Sequence, residues 1–196
     1  AGGVSIEGSY SGETILRRVA RAVRFESSRT EIRAGAVPGE MRLSLSQLAM
    51  SRVLGPLFIR AETKDIQLAD VTDTLTLDID RGDVEIRQPR TDFGRIAVKT
   101  GSGDVELALP PAARFSLAAS TERGEAVNDF DPRLRVEQDD RKASITGSTG
   151  PGPEIRTETR RGRTIVRKLT PAEISSILGR PPQAPPPPEP PKAVNQ

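Results

Sequence analysis

The stretch Thr100-Gly101-Ser102-Gly103-Asp104-Val105-Glu106-Leu107-Ala108-Leu109-Pro110 is a turn followed by a strand, and most of the chain repeats it. From Val105 to Leu109 apolar residues take every second place. That is the period of a strand with one buried face; a helix would space them by three and four. The preceding Gly-Ser-Gly-Asp is turn chemistry. A slip of one residue would turn the whole apolar set to solvent, so register is firmly specified wherever the pattern holds.

Other copies lie on both sides. Leu75, Leu77 and Ile79 precede the turn Asp80-Arg81-Gly82-Asp83, and Val84 and Ile86 follow it. Ile96 and Val98 lead into the Thr100 turn, and Phe115 and Leu117 lead to Glu122-Arg123-Gly124-Glu125 and Ala126. Upstream, Phe58 and Ile59 run to Lys64-Asp65 with Ile66 and Leu68 after it; Met41, Leu43 and Leu45 come before Leu48; Val23 and Phe25 come before the turn Ser27-Ser28-Arg29-Thr30 and Ile32. Val4 to Arg21 forms an irregular first copy around the turn from Gly8 to Gly12. Aligning the turns at Thr30, Gln47, Asp65, Asp83, Asp104 and Glu125 gives steps of 17, 18, 18, 21 and 21 residues. A near-constant period that tolerates small insertions is the signature of stacked coils, each touching its neighbours and looping extra residues outward. Past Phe130, Leu134 and Val136 with Ala143 and Ile145 predict a hairpin whose tip is Gln138 to Arg141, and Ile155 starts a further strand that Gly162 turns toward Ile165 and Val166.

Composition fits that plan. Hydrophobic residues are 35% of the 196 and aromatics only 3%, so the interior must come from Val, Ile, Leu and Ala, which suits stacked strands. Charged residues reach 29% but nearly cancel, to +2, which argues against the concentrated basic field that nucleic-acid binding needs. Cys and His are both absent, which excludes disulfides, thiolate nucleophiles and the commonest ligands for zinc, copper or iron. No cofactor is expected. No apolar run approaches the roughly eighteen residues of a membrane span, and no stretch reads as an export signal.

The C-terminal segment changes period. Thr170 is a good N-cap, Pro171 sits where a helix accepts it, Glu173 completes a capping box and Gly179 supplies the stop. This predicts a short helix over 170–179 that covers the open end of the stack. From 180 to 196 the chain is Pro-rich and is expected to be a disordered tether. The expected architecture is therefore all-β: a β-solenoid, single-stranded and β-helix-like, of about eight short coils over 1–169, with one capping helix and the tail.

Two sets of residues are candidates for chemistry. Asp65, Asp83 and Asp104 recur at equivalent turns and would stack in a row, where paired carboxylates could hold calcium or act as the acid and base of a glycan-cleaving site. The reading preferred here is that each Asp hydrogen-bonds the backbone of its own turn. Arg156, Arg160, Arg161, Arg163, Arg167 and Lys168 concentrate positive charge near the C-terminal end, as a solvated outer face or as a surface for an anionic cell-wall polymer, lipopolysaccharide or membrane. Arg81-Gly82-Asp83 spells an integrin-type tripeptide but is the local version of the repeated x-Gly-Asp turn. Gly101-Ser102-Gly103 lacks the Lys-Ser/Thr and the helix of a phosphate loop.

With the repeats laid out, the chain resembles the bacterial putative-adhesin family of unknown function, whose members carry β-strand repeats. The resemblance rests on Lys64-Asp65-Ile66, on Arg81-Gly82-Asp83-Val84-Glu85-Ile86 and on Gly101-Ser102-Gly103-Asp104-Val105-Glu106-Leu107. It rests also on Leu109-Pro110 and on Ala118-Ala119-Ser120-Thr121 with Gly124, and it spans residues 4 to 166. It implies a β-solenoid at the bacterial cell envelope, periplasmic or extracellular, with no catalytic residue to carry over. The expected role is non-enzymatic: adhesion, or interaction with a protein or glycan, with self-association through the solenoid edges and no nucleic acid. The alternatives are a scaffold that polymerises through its ends and a carbohydrate-active β-helix enzyme using the stacked carboxylates.

Overall fold

Alternation yields strands, and strands dominate: in this computed structural model, which describes residues 3–8 and 12–179, sixteen strands and one short C-terminal helix form the fold. The strands are β1 (Val4–Glu7), β2 (Thr14–Val19), β3 (Val23–Glu26), β4 (Thr30–Leu43), β5 (Gln47–Thr63), β6 (Asp65–Val71), β7 (Leu75–Arg81) and β8 (Val84–Arg87). They continue with β9 (Ile96–Ser102), β10 (Val105–Leu109), β11 (Ser116–Thr121), β12 (Ala126–Asp129), β13 (Arg135–Asp139), β14 (Lys142–Ser148), β15 (Glu154–Thr159) and β16 (Thr164–Lys168), before helix α1 (Pro171–Leu178). They lie on two facing sheets. The front sheet runs β1-β3-β4-β5-β7-β9-β15-β11-β14-β13 and the back sheet β2-β4-β5-β6-β8-β10-β16-β12. β4 and β5 are long enough to bend through both, so the sheet is one nearly closed spiral and the fold is solenoid-like.

The alternating apolar positions meet between the sheets. Leu75, Leu77 and Ile79 of β7 and Val105, Leu107 and Leu109 of β10 are buried, while Thr76, Asp78 and Glu106 face outward. Val84 pairs in register with both Ile66 and Val105, so equivalent side chains stack layer on layer. Two apolar residues read as inward are not: Leu45 forms the tip of the β4-β5 hairpin and is 65% exposed, and Val136 lies on an edge strand whose every residue is exposed. The N-terminal copies also differ from coils, because β3-β4 and β4-β5 are antiparallel hairpins.

Sequence order and stacking order part company after β10. A sequential solenoid would lay β11 on β9 and β12 on β10. Instead the last coil, β15 and β16, is inserted between them: β15 pairs in parallel with β9 on one side and β11 on the other, and β16 likewise with β10 and β12. The glycines of the tight corner record the same order. A Cβ on Gly103 would stand 2.0 Å from the carbonyl oxygen of Gly82, one on Gly162 2.0 Å from that of Gly103, and one on Gly124 1.9 Å from that of Gly162. Gly82, Gly103 and Gly162 also have φ of +136°, +141° and +133°, where a side chain is strained. Charge favours the insertion: residues 154–168 carry six basic and two acidic side chains, and the flanking coils present Asp104, Glu106, Glu125 and Asp129. Thr149 pins the entry, its hydroxyl accepting from the Phe115 N–H at 3.0 Å and donating to the Ala113 carbonyl at 3.1 Å.

The helix keeps its predicted ends and loses its predicted place. The Thr170 hydroxyl accepts from the Glu173 N–H at 3.3 Å, the Glu173 carboxylate accepts from the Thr170 N–H at 2.7 Å, and Gly179 closes the helix in the left-handed region. The chain enters α1 from β16, an interior strand, and α1 packs beside β6 rather than over an end. The end beyond β12 is closed instead by the β13-β14 hairpin and by Phe130, whose ring meets Phe115 edge-on at 5.2 Å. Asn128 shapes this plug, donating to the Asp131 and Leu134 carbonyls at 2.8 Å each. No helix among the described residues is long and apolar enough to cross a membrane. The tail expected over 180–196, and the centre of the turn from Gly8 to Gly12, lie outside the described residues.

Ending the chain after Pro153 removes a middle layer rather than the last one. Hydrogen exchange should then show loss of protection over 116–148 while 57–109 stay protected; protection retained over 116–148 would mean that β11 closes directly on β9. The inserted coil also buries Thr157 and Thr164 with hydroxyls that find no partner among the described residues. Thr157→Val should stabilise the fold by about 1 kcal/mol in urea unfolding, since an unsatisfied buried hydroxyl is replaced by a methyl of similar volume.

Candidate functional site

The carboxylate row exists, but its bonds differ from those expected. Asp65 accepts from the Asp83 N–H at 3.0 Å, Asp83 from the Asp104 N–H at 2.9 Å, and Asp104 from the Arg163 N–H at 2.8 Å. Each carboxylate thus binds the next layer, not its own turn. The corner bends the backbone away from ladder geometry and leaves an N–H that a short acceptor one layer away can reach. The row ends at Arg163, which has no acceptor to offer and folds its guanidinium back onto Asp104 at 2.7 and 3.0 Å. Burial pushes the Asp104 carboxyl up, but the Arg163 N–H and guanidinium outweigh it and hold the carboxyl below its ordinary range. No three acidic groups converge as a metal site among the described residues. In Arg81-Gly82-Asp83, Gly82 belongs to the glycine column and Asp83 to this ladder.

The six basic residues are divided by the insertion. Arg156 pairs with Glu158 at 2.6 Å, Arg163 with Asp104, and Arg167 bridges Glu106 at 2.6 Å and Glu173 at 3.0 Å. The Lys168 ammonium sits 5.9 Å from the centre of the Phe130 ring. Arg160, Arg161 and Lys168 form no ion pair among the described residues, and of these only the two arginines lack a ring contact as well. The structure sets beside them two arginines that the sequence reading did not group with them, Arg81 at the end of β7 and Arg123 in the turn after β11. All four are exposed, line one depression of about 350 Å³ at the tight corner, and make no ion pair with a described residue. Asp80 and Glu122 share the depression and offset the charge in part. Gly101 gives Arg160 its room: a Cβ there would stand 2.8 Å from the guanidinium. A sequence signal for this cluster existed, an Arg just before the glycine of three corners, but only the stacking order makes the three neighbours.

Along the middle of both sheets opposite charges meet. Across the front sheet Glu31, Arg60, Asp78, Lys99 and Glu158 occupy successive register positions with alternating sign. On the back sheet Glu85 and Glu106 are neighbours, and Arg87 and Arg167 satisfy them. A residue hidden from the sequence reading is Lys64, taken as part of a polar turn; it is 2% exposed, and its ammonium donates to the Ser44 and Leu45 carbonyls at 2.6 and 3.0 Å, tying down the β4-β5 hairpin.

The profile of the Toastrack DUF4097 family matches residues 36–158, from within β4 to within β15. The chain belongs to that family. The Toastrack match contains the glycines Gly82, Gly103 and Gly124 of the corner column and all three row carboxylates. Among solved structures, one of a putative cell adhesion protein from Clostridium sporogenes is similar at 8% identity and a TM-score of 0.30, covering 85% of this chain and 88% of that one, a likeness too slight to carry an argument. No curated protein matches.

Asp104→Ala should destabilise the fold by about 1–3 kcal/mol, because it leaves the Arg163 N–H and guanidinium without their acceptor. A lowered pKa means that the contribution is present above the ordinary carboxylate value of 3.8 and is lost as pH falls below it. The gap between wild type and variant in urea midpoints should therefore be full at pH 6 and shrink toward pH 2.

Proposed function

We propose that this Toastrack protein is a non-enzymatic interaction module of the cell envelope, periplasmic or extracellular, which meets an anionic glycan or protein through the arginine corner. The observation that carries this reading is the grouping of charge: along the middle of both broad faces opposite charges meet in place, while Arg81, Arg123, Arg160 and Arg161 gather in one depression without an ion pair among the described residues. Guanidinium groups that Asp80 and Glu122 offset only in part, set at the corners of a stacked sheet, are open to an anion, and their planar forks lose little entropy on meeting one. The carboxylate row favours no acid-base chemistry in this reading, because each of its members accepts backbone N–H groups that hold layers together. The edge strand β13 argues against end-to-end growth, since Arg135, Glu137 and Asp139 place charge along the free edge.

On this reading the chain divides into a repeat unit over 1–169 of about eight coils, the helix over 170–179 and the Pro-rich segment over 180–196. The test is retention of the full chain on immobilised acidic and neutral glycans. Acidic glycans should retain it and release most of it between ~0.05 and ~0.5 M salt, as exposed charge contacts are screened. Equal retention on neutral glycans, or indifference to salt, would overturn the reading.

A further inference from the structure

We propose that the arginine corner binds a linear phosphodiester polymer lying along the stacking axis. This rests on the corner being the working surface and adds the chemistry of what it takes. Arg81 ends β7, Arg160 and Arg161 lie in the turn after β15 and Arg123 in the turn after β11, and β9 lies between the first two strands. At about 4.8 Å per strand the cations span about 14 Å along the axis. A single small anion would touch one or two of them; a flexible chain with a charge every few bonds can reach all.

Guanidinium forks match the paired oxygens of a phosphate. No aromatic side chain lines the depression, so sugar rings and bases find no platform to stack on, which sets the phosphate backbone above a neutral glycan or a nucleic acid as the recognised feature. No exposed large apolar residue lines it either, since Ile15, Leu45, Leu54 and Val136 all lie elsewhere, and a membrane-binding surface would want one to enter the headgroup layer.

The site is complete only when β15 and β16 are in place. Two of its arginines ride on the inserted coil, Arg123 follows β11 on one side of it and Arg81 ends β7 on the other, beyond β9, so an occupant would bridge four layers. Binding should therefore tighten the insertion itself, the layer that buries the unsatisfied hydroxyls of Thr157 and Thr164.

The experiment titrates the full chain with poly(glycerol phosphate), polygalacturonate, a duplex oligonucleotide of similar charge, and vesicles rich in anionic lipid, each at two salt concentrations. Hydrogen exchange is followed over 154–168. Arg160→Gln with Arg161→Gln should weaken poly(glycerol phosphate) binding at least tenfold without changing the melting temperature, because both side chains are exposed. Arg135→Gln, on the exposed edge strand, should change it less than twofold. Exchange over 154–168 should slow on binding in the unmodified chain only. If polygalacturonate binds as tightly and is lost with the same pair, the corner stands and the phosphate chemistry falls. If the oligonucleotide or the vesicles bind tighter than the polymer, the proposed ligand is overturned in favour of that one. If polymer binding survives the double substitution, the corner itself is refuted, and the proposed function with it.

Discussion

Backbone stacked on backbone at the tight corner is the constraint on which the rest of this molecule depends. There the column of Gly82, Gly103, Gly162 and Gly124 brings each layer so close to the next that a methyl group would collide with a carbonyl oxygen. Close approach at that corner puts Asp65, Asp83 and Asp104 one layer from an unpaired N–H, and it puts their bonds between layers rather than within turns. Those bonds make the row structural. The same corner turns the residue before each glycine to solvent, and in three of the four layers that residue is an arginine, Arg81, Arg161 or Arg123.

Inserting the final coil changes what kind of repeat protein this is. In a sequential stack, stability is a sum of local terms and the ends fray first. Here the coil of β15 and β16 lies in the interior, so contacts between residues far apart in sequence complete the middle of the sheet, and the two halves of the stack depend on a segment made after both of them. High contact order of this kind slows folding. The inserted coil also has a more polar interior than the coil of β9 and β10, since Thr157 and Thr164 stand in register with Val98 and Val105, while Thr159 continues a column with Thr100 and Thr121. A layer that is central and holds buried hydroxyls without partners is a natural point for a ligand to act on.

Electrostatics assigns the surfaces different work. Residues in register across the front sheet alternate in sign from Glu31 to Glu158, which leaves that face with little field of its own. Arg167 joins β10, β16 and α1 by holding Glu106 and Glu173 together, and the helix, with none of its residues fully buried, owes its attachment in part to this bridge. Against such pairing the corner gathers four arginines in one depression with no ion pair among the described residues.

Period and turn chemistry are local, and the sequence by itself determined what is local: the strands, their inward residues from Val23 to Val166, the x-Gly-Asp corners, and both ends of α1, whose capping box requires only neighbours within four residues. Leu45 and Lys64 escaped this reading because their burial depends on a hairpin that reverses direction. The tertiary structure alone decided the stacking order. Any coil with the two-residue period can pair with any other, so nothing in the repeat itself says that 154–168 lies between 96–109 and 116–129. Complementary charge and the Thr149 anchor choose that place, and both act only once distant segments meet. The candidate site follows the same division: Arg160 and Arg161 were legible as a basic pair, but their grouping with Arg81 and Arg123 is a consequence of layer order, which is a property of the assembled backbone.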